Sequence, residues 1–277
     1  MALRAWLTVL LYGILEGVTE WLPISSTGHL LLLEPLVPLP FSAAVTELFD
    51  VVVQLGAILA VVVLFWRRLC PLGGGKTPAE RRCITALWGK VLLATLPAAL
   101  VGLLLDDWIT QRLYRASVVA AALIGYGVLL LFSRKWQKQA PFRGELDVLP
   151  WRTAFLVGVL QVAALVPGTS RSGVTVLGAT ALGVSRTGAA EFSFFLGVPT
   201  MLGASALKGV KFFLAGHTLT GGDAVLLCVG TLAAFVTSLV VMRFLMDFVR
   251  RHSFAGFGVY RILLGGAVLL ACASDIL

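Results

Sequence analysis

Charge is what this chain has least of. Charged residues make up 13% of its 277 positions against 58% hydrophobic ones, and a mean hydropathy of +0.95 means more apolar surface than one water-soluble core could hide. A soluble fold is thereby excluded, and a bilayer is the expected solvent. Cysteine is equally uninformative: Cys70, Cys83, Cys228 and Cys272 form no Cys-x-x-Cys pair and have no histidine at zinc-ligand spacing, so neither a disulfide framework nor a zinc site follows. The net charge of +8 lacks the basic face, interleaved with stacking aromatics, that nucleic acid would need. Its Lys and Arg cluster in short loops between apolar runs, which excludes a nucleic-acid partner and suits orientation in a membrane. No small-residue cleavage site precedes Glu16 in MALRAWLTVLLYGILEG, so this first stretch is expected to remain as a membrane helix.

Runs of roughly 18 to 25 apolar residues can cross about 30 Å of hydrocarbon. Six are present, at 48–66, 88–105, 116–133, 191–213, 223–245 and 254–274. Two further stretches pair short apolar arms, 1–22 with 27–39 and 153–166 with 173–184, around a break rich in Pro, Gly and Ser. Each is expected to enter the bilayer and turn back, and because lipid cannot satisfy freed amide groups, both breaks should face protein or a polar cavity. The expected fold is an all-α integral membrane protein, a single domain over 1–277, with six transmembrane helices and two re-entrant helical hairpins.

Loop charge orients this plan. Arg67, Arg68, Lys76, Arg81, Arg82 and Lys90 against Glu80 follow the first span, whereas Glu34, Glu47 and Asp50 precede it, so the first loop is expected in the cytoplasm. The 106–115 loop is balanced (Asp106, Asp107, Arg112, Arg115), and the 134–152 loop is basic again (Arg134, Lys135, Lys138, Arg143, Arg152 against Glu145, Asp147). Arg243, Arg250 and Arg251 then fall inside and both termini outside. Trp66, Trp108, Trp136 and Trp151 near span ends suit an interfacial belt.

The two broken stretches align without a gap. GILEGVTEWLPISSTGHL at 13–30 and GVLQVAALVPGTSRSGVT at 158–175 bring Gly13 to Gly158, Leu15 to Leu160, Ser25 to Ser170, Thr27 to Ser172 and Gly28 to Gly173. A duplication follows, with one repeat over about 1–133 and a second over about 153–274, each a hairpin plus three spans in opposite orientation. That inverted-topology arrangement puts a site near the midplane. One copy keeps Glu16, Glu20 and His29, and the other keeps Arg171, a divided kit that suggests one site built from both halves.

Serine and threonine precede an apolar helical run at each break, so two helix N-termini should converge with N-cap side chains. Free amides at the positive end of a helix dipole, with the planar fork of Arg171, suit a phosphate; the plainer alternative is that small residues merely allow tight helix packing. Glu16 and Glu20, four residues apart, lie on one helix face. Two close acids in a low dielectric need a divalent cation, magnesium or calcium, or a shared proton; otherwise Glu16 is a structural cap or pairing residue. His29 beside Ser26 and the acids reads as functional rather than as a packing histidine. Asp50 and Gln54 share a face of the first span and Glu191 opens the fourth; Gln54 could support the carboxylates or bond to a neighbouring helix.

EGVTEWLPISSTGH at 16–29, PGTSRSG at 167–173 with Thr175, QLGAILAVVVLFWRR at 54–68 and GVSRTGAAEFSFFLGVP at 183–199 resemble the bacterial undecaprenyl-pyrophosphate phosphatases of the BacA type over nearly the whole chain. The resemblance implies a multi-pass enzyme of the bacterial inner (plasma) membrane. It would cut undecaprenyl pyrophosphate to the monophosphate and inorganic phosphate, recycle the carrier for peptidoglycan, and confer bacitracin resistance when abundant, with its site open to the periplasmic or outer face. Carried over, the acidic motif falls on Glu16 and Glu20, the SSTGH motif on Ser25, Ser26, Thr27 and His29, and the SRSG motif on Ser170, Arg171, Ser172 and Thr175. Another lipid phosphatase superfamily needs a histidine six residues after its arginine; Leu177 stands there, which excludes it.

The chemistry expected is in-line attack at the terminal phosphorus. Arg171, the amides after Ser25 and Ser170, and a divalent cation on Glu16 and Glu20 would stabilise the transferring group. Ser26 is the preferred nucleophile, with His29 or Glu20 taking its proton, while His29 itself or metal-bound water stays open. The rival is a transporter or flippase of a phosphate-bearing lipid, because inverted repeats with broken helices also serve alternating access. A homodimer is compatible with the sequence and is not specified by it.

Overall fold

The computed structural model of the chain describes residues 3–73, 75–137, 146 and 149–274. Eleven α-helices follow one another among them: α1 (Leu3–Thr19), α2 (Ser26–Leu33), α3 (Ala43–Leu64), α4 (Trp66–Leu69), α5 (Pro78–Leu113), α6 (Ala116–Gln137), α7 (Trp151–Gln161), α8 (Arg171–Ala181), α9 (Arg186–Leu214), α10 (Gly221–Arg251) and α11 (Ala255–Ala273), with a 3-10 turn at Val162–Leu165 after α7. Helices α3, α5, α6, α9, α10 and α11 are long and apolar enough to cross a membrane. Their outer faces expose Leu100, Leu104, Leu232 and Leu263, a surface that only lipid solvates without cost. The protein is an all-α, multi-pass membrane protein.

Local signals set the helix starts. Ser42 accepts from the Val45 amide to open α3; Thr77 and Glu80 form a capping box with Pro78 in the first turn of α5; Thr220 and Asp223 form another for α10. These caps lie outside the apolar runs, so the helices outgrow them. α5 is 36 residues long, about 54 Å at 1.5 Å per residue. Two expected loops shrink as a result: 106–115 is mostly the end of α5, and Lys90, counted among loop cations, is buried within α5 with its ammonium over the Trp151 ring. The expected basic residues Lys138 and Arg143 and acids Glu145 and Asp147 lie outside the described residues, as do the side chains of Arg134 and Trp136. Trp66, Trp108 and Trp151 are exposed.

Both broken stretches form short hairpins, α1 against α2 and α7 against α8. α2 has eight residues and rises about 12 Å, far short of a span. The halves interlock. α1 and α3 pack on α10 while α7 and α9 pack on α5; α2 meets α11 while α8 meets α6; α3 pairs with α9 and α6 with α11. Exchanging α1, α2, α3, α5, α6 for α7, α8, α9, α10, α11 carries each of these contacts into another of the set, or, for α3 with α9 and α6 with α11, into itself. The aligned glycines do the same work in each half: a Cβ on Gly13 would collide with the Gly230 carbonyl of α10, and one on Gly158 with the Ala94 carbonyl of α5. Close backbone approach at small residues is how helices gain contact in lipid. A core of Trp21, Val61, Val157, Phe192, Phe194, Phe195 and Leu196 fills the centre beside the breaks.

Overpacking at these crossings should cost about 1–3 kcal/mol each. Gly13→Val and Gly158→Val are therefore expected to lower the unfolding temperature in detergent, whereas Gly209→Ala, with open space around its Cβ, leaves it unchanged or slightly raised. Equal behaviour of all three would show that helix crossings are not set by these glycines.

Candidate active site

Each break ends in a strained serine. Ser25 (φ 73°) and Ser170 (φ 70°) are the only non-glycine residues of positive φ among those described, a conformation that costs about 1–3 kcal/mol and persists only where surroundings impose it. Each directly precedes a helix, α2 or α8. Their side chains differ, contrary to the expectation of two capped starts. Ser170 Oγ accepts from the Gly173 amide at 3.2 Å, whereas Ser25 makes no cap and its buried Oγ has no partner among the described residues.

The two breaks meet through Glu20 and Arg171. Arg171 Nη2 donates to Glu20 Oε1 at 2.9 Å, and both side chains are about 10% exposed. The guanidinium is held at both Nη atoms and on one face, while its buried Nε meets no acceptor among the described residues: Nη1 donates to the Ser193 carbonyl at 2.7 Å, the Trp21 ring faces it at 5.1 Å, and Gly197 leaves room for it, since a Cβ there would strike Nη2. Thr175 Oγ1 donates to the Arg171 carbonyl at 2.9 Å and meets Ser193 Oγ at 2.6 Å. Ser172 Oγ donates across the halves to the Glu20 carbonyl at 2.9 Å. Glu20 Oε2 accepts from Ser26 Oγ at 3.4 Å. Glu20 thus touches a hydroxyl from its own half and a guanidinium from the other.

A second arginine holds the breaks themselves. Arg261 of α11 is fully buried and has no carboxylate partner among the described residues. Its Nη2 donates to the Gly168 carbonyl at 2.8 Å and its Nη1 to the Pro23 carbonyl at 3.4 Å, one in each break; further long bonds reach the Ala122 and Leu123 carbonyls of α6.

A cavity of about 290 Å³ opens between the breaks. Of the residues expected at the site, Glu20, Ser25, Ser26, Thr27, Gln54, Ser170 and Arg171 line it. Ser172 and Thr175 are buried behind its wall, bonding as above. His29 is turned away: Nδ1–H donates to the Ser25 carbonyl at 2.7 Å, so Nε2 accepts from the Tyr260 hydroxyl, also at 2.7 Å. Glu16 is buried next to Glu20, and apart from the Glu20 carboxyl its two carboxylate oxygens meet no hydrogen-bond partner among the described residues. Such a group requires a cation or a proton. Among the described residues no cluster of three His, Cys, Asp or Glu could hold a metal ion. Two carboxylates alone fit a hard ion that takes its remaining oxygens from phosphate and water, as magnesium does.

Sequence reasoning passed over several contributors. Arg261 sits inside the last apolar run, where any ionisable residue is a functional signal. Gln161, which the repeat alignment puts opposite Glu16, lines the cavity with a buried, unpartnered Oε1. Ser193 and Gly197 lie within the 183–199 segment quoted above but carried no chemistry until Arg171 was seen against them.

The family model described as bacitracin resistance protein BacA matches residues 9–267. Curated relatives named undecaprenyl-diphosphatase include one from Streptococcus thermophilus (strain ATCC BAA-250 / LMG 18311), 48% identical over 93% of this chain and 90% of the relative. Another, from Streptococcus pyogenes serotype M1, is 47% identical over 95% of both chains.

Removing the Arg261 fork would strand carbonyls of both breaks without donors, at about 1–3 kcal/mol per buried group. Arg261→Met should lower stability by about 3 kcal/mol or more, and Arg261→Lys, with fewer donors, by an intermediate amount. Thermal unfolding in detergent measures this, and a neutral Arg261→Met would refute the clamp.

Proposed function

The chain belongs to the bacitracin resistance protein BacA family, and from that membership we propose how its two breaks cut a diphosphate. It is an undecaprenyl-diphosphatase, a membrane hydrolase that converts undecaprenyl diphosphate to the monophosphate and inorganic phosphate. This returns the lipid carrier to cell-wall synthesis and, in abundance, gives resistance to bacitracin. One observation carries the chemistry: Glu20 is hydrogen-bonded to Ser26 and ion-paired to Arg171 at the wall of one cavity.

The terminal phosphate sits between the N-termini of α2 and α8, where free amides, the Ser25 hydroxyl and Arg171 meet its oxygens. Thr27, Ser170 and Gln54 complete the polar lining. Ser26 Oγ attacks the terminal phosphorus in line, its proton passing to Glu20 as the new P–O bond forms. The anhydride P–O bond on the far side breaks, and its electron pair leaves with the lipid monophosphate. Water then cleaves the seryl phosphate and releases inorganic phosphate. His29 has one ring nitrogen on the Ser25 carbonyl and the other on Tyr260; it holds the strained turn, and Glu20 is the better-placed base. Ser172 and Thr175 fix the second break and Arg171. A divalent cation, magnesium or calcium, held by Glu16 and Glu20 supplies further positive charge against the phosphate oxygens when bound.

The halves, about 1–133 and 153–274, are inverted repeats in this account, supported by the contacts that survive their exchange. The site opens to the outer face of the bacterial inner membrane. In support, the cavity takes Asp106, Thr110 and Tyr114 from the end of α5 and Lys208 from late in α9. Arg67, Arg68, Arg81 and Arg82 stand at the opposite end of α5, and Arg250 and Arg251 close α10 beside the start of α9, where Arg186 donates to the His252 carbonyl. Cationic ends stay in the cytoplasm.

Phosphate release from a long-chain polyprenyl diphosphate in detergent tests these roles. Glu20→Gln, Ser26→Ala and Arg171→Ala should each lose a factor of about 10² or more in kcat/KM, His29→Gln should lose less than Glu20→Gln, and a chelator should slow the wild type. Trapping of phosphoserine at position 26 is expected. Full turnover by a folded Ser26→Ala protein would transfer attack to water or to His29.

A further inference from the structure

Four charged side chains line the cavity: Glu20 and Asp106, Arg171 and Lys208. Three are committed. Glu20 pairs with Arg171 at 2.9 Å, and Asp106 pairs with Lys211, one helical turn beyond Lys208, at 2.8 Å. Lys208 differs. Its ammonium lies 4.0 Å from Glu47 Oε2, the limit of an ion pair, and that carboxylate is 73% exposed, where such a contact contributes little. Asp50, on the same helix as Glu47, shares its neighbourhood without a hydrogen bond to it. With Asp106 held by Lys211 and Glu20 by Arg171, neither acid lining the cavity is paired with Lys208, which keeps its charge for a ligand.

The substrate proposed above carries two phosphates, and the inference rests on that reading. The terminal one occupies the helix starts and Arg171, whose Nη2 already serves Glu20. The inner phosphate, esterified to the lipid, needs its own cation. We infer that Lys208 binds this inner phosphate and so selects a diphosphate over a monophosphate. A lysine suits the task, being a compact point charge on a flexible stem with three donors and no fixed fork. Lys208 holds the inner phosphate in the ground state and holds it more strongly as the leaving electron pair arrives there, so its loss should raise KM and also lower kcat to a smaller degree. The lipid monophosphate product keeps the inner phosphate but has nothing for Arg171 and the helix amides, and is held by one cation in place of two.

Steady-state kinetics on a long-chain polyprenyl diphosphate, with methylenediphosphonate and inorganic phosphate as competing anions, decide it. Lys208→Gln should raise KM roughly tenfold or more with a smaller fall in kcat. It should weaken inhibition by methylenediphosphonate by a similar factor and inhibition by phosphate little, while Lys208→Arg restores most of the affinity. Unchanged KM and inhibition in Lys208→Gln, with an active wild type, overturn the assignment of Lys208 alone. A fall in kcat without a change in KM overturns it as well. A folded wild type that releases no phosphate overturns the diphosphatase mechanism, and the inference with it.

Discussion

Hydrocarbon cannot hydrogen-bond a carbonyl, and this molecule breaks two helices within reach of it. Every feature of the site follows from how the freed backbone groups are satisfied. The donors are side chains, and most cross from one half to the other. Ser172 of the second half serves the Glu20 and Leu22 carbonyls of the first, and Arg261 serves Pro23 in the first break and Gly168 in the second. His29 serves the carbonyl of Ser25. A guanidinium without a carboxylate partner is an expensive object to bury. Here its five-donor fork faces carbonyls in three segments, a geometry that neither lysine nor water could copy. The breaks are held to each other before any ligand arrives.

That fixation explains why strain can persist at the serines. Ser25 and Ser170 each hold a positive φ, which an unconstrained loop would relax. Because the carbonyls on either side are tied, the strained turn is the state left available, and it delivers the next residue to the cavity at the start of a helix. The Glu20 to Arg171 pair is built on this frame rather than building it. Breaking a buried pair by removing one partner costs about 3–5 kcal/mol through the charge left behind, so the pair reports on the frame and also endangers it. In the proposed mechanism a phosphate entering the cavity offers Arg171 a second anionic partner and leaves Glu20 free to act on Ser26.

Much of this was legible in the sequence, for reasons that are physical and local. Six apolar runs had to be spans because composition left no other solvent. Glu16, Glu20, Ser26 and Arg171 stood out because polar groups are rare in such runs. Helix length was less legible: caps at Thr77 and Thr220 lie in polar segments, so α5 and α10 start outside the hydropathy windows, and Lys90 was taken for a loop cation. Direction was less legible still. His29 shares the motif with Ser26 but occupies another helix face, and only the fold shows Tyr260 waiting there. Arg261 and Lys208 could be named as ionisable residues in apolar runs, yet what each faces comes from segments far away in the chain, 93 residues in the case of Gly168.

The gapless alignment of the two breaks gives the proposed division of labour a geometric cause. At the gapless alignment that pairs Ser25 with Ser170, Ser26 falls opposite Arg171 and Glu16 opposite Gln161. Each strained serine therefore presents an equivalent position, the first residue of a short helix, to the same cavity. Identical residues there would make two half-sites: two hydroxyls with no cation, or two guanidiniums repelling each other. The difference at that one pair of positions puts a hydroxyl and a guanidinium on the lining of one cavity without moving the backbone. Divergence at Glu16 and Gln161 leaves one buried acid in place of two, which halves the charge the interior must neutralise. The single centre proposed here needs the two breaks alike in backbone, as their strained serines are, and different in side chains at the positions where equivalence would be unproductive.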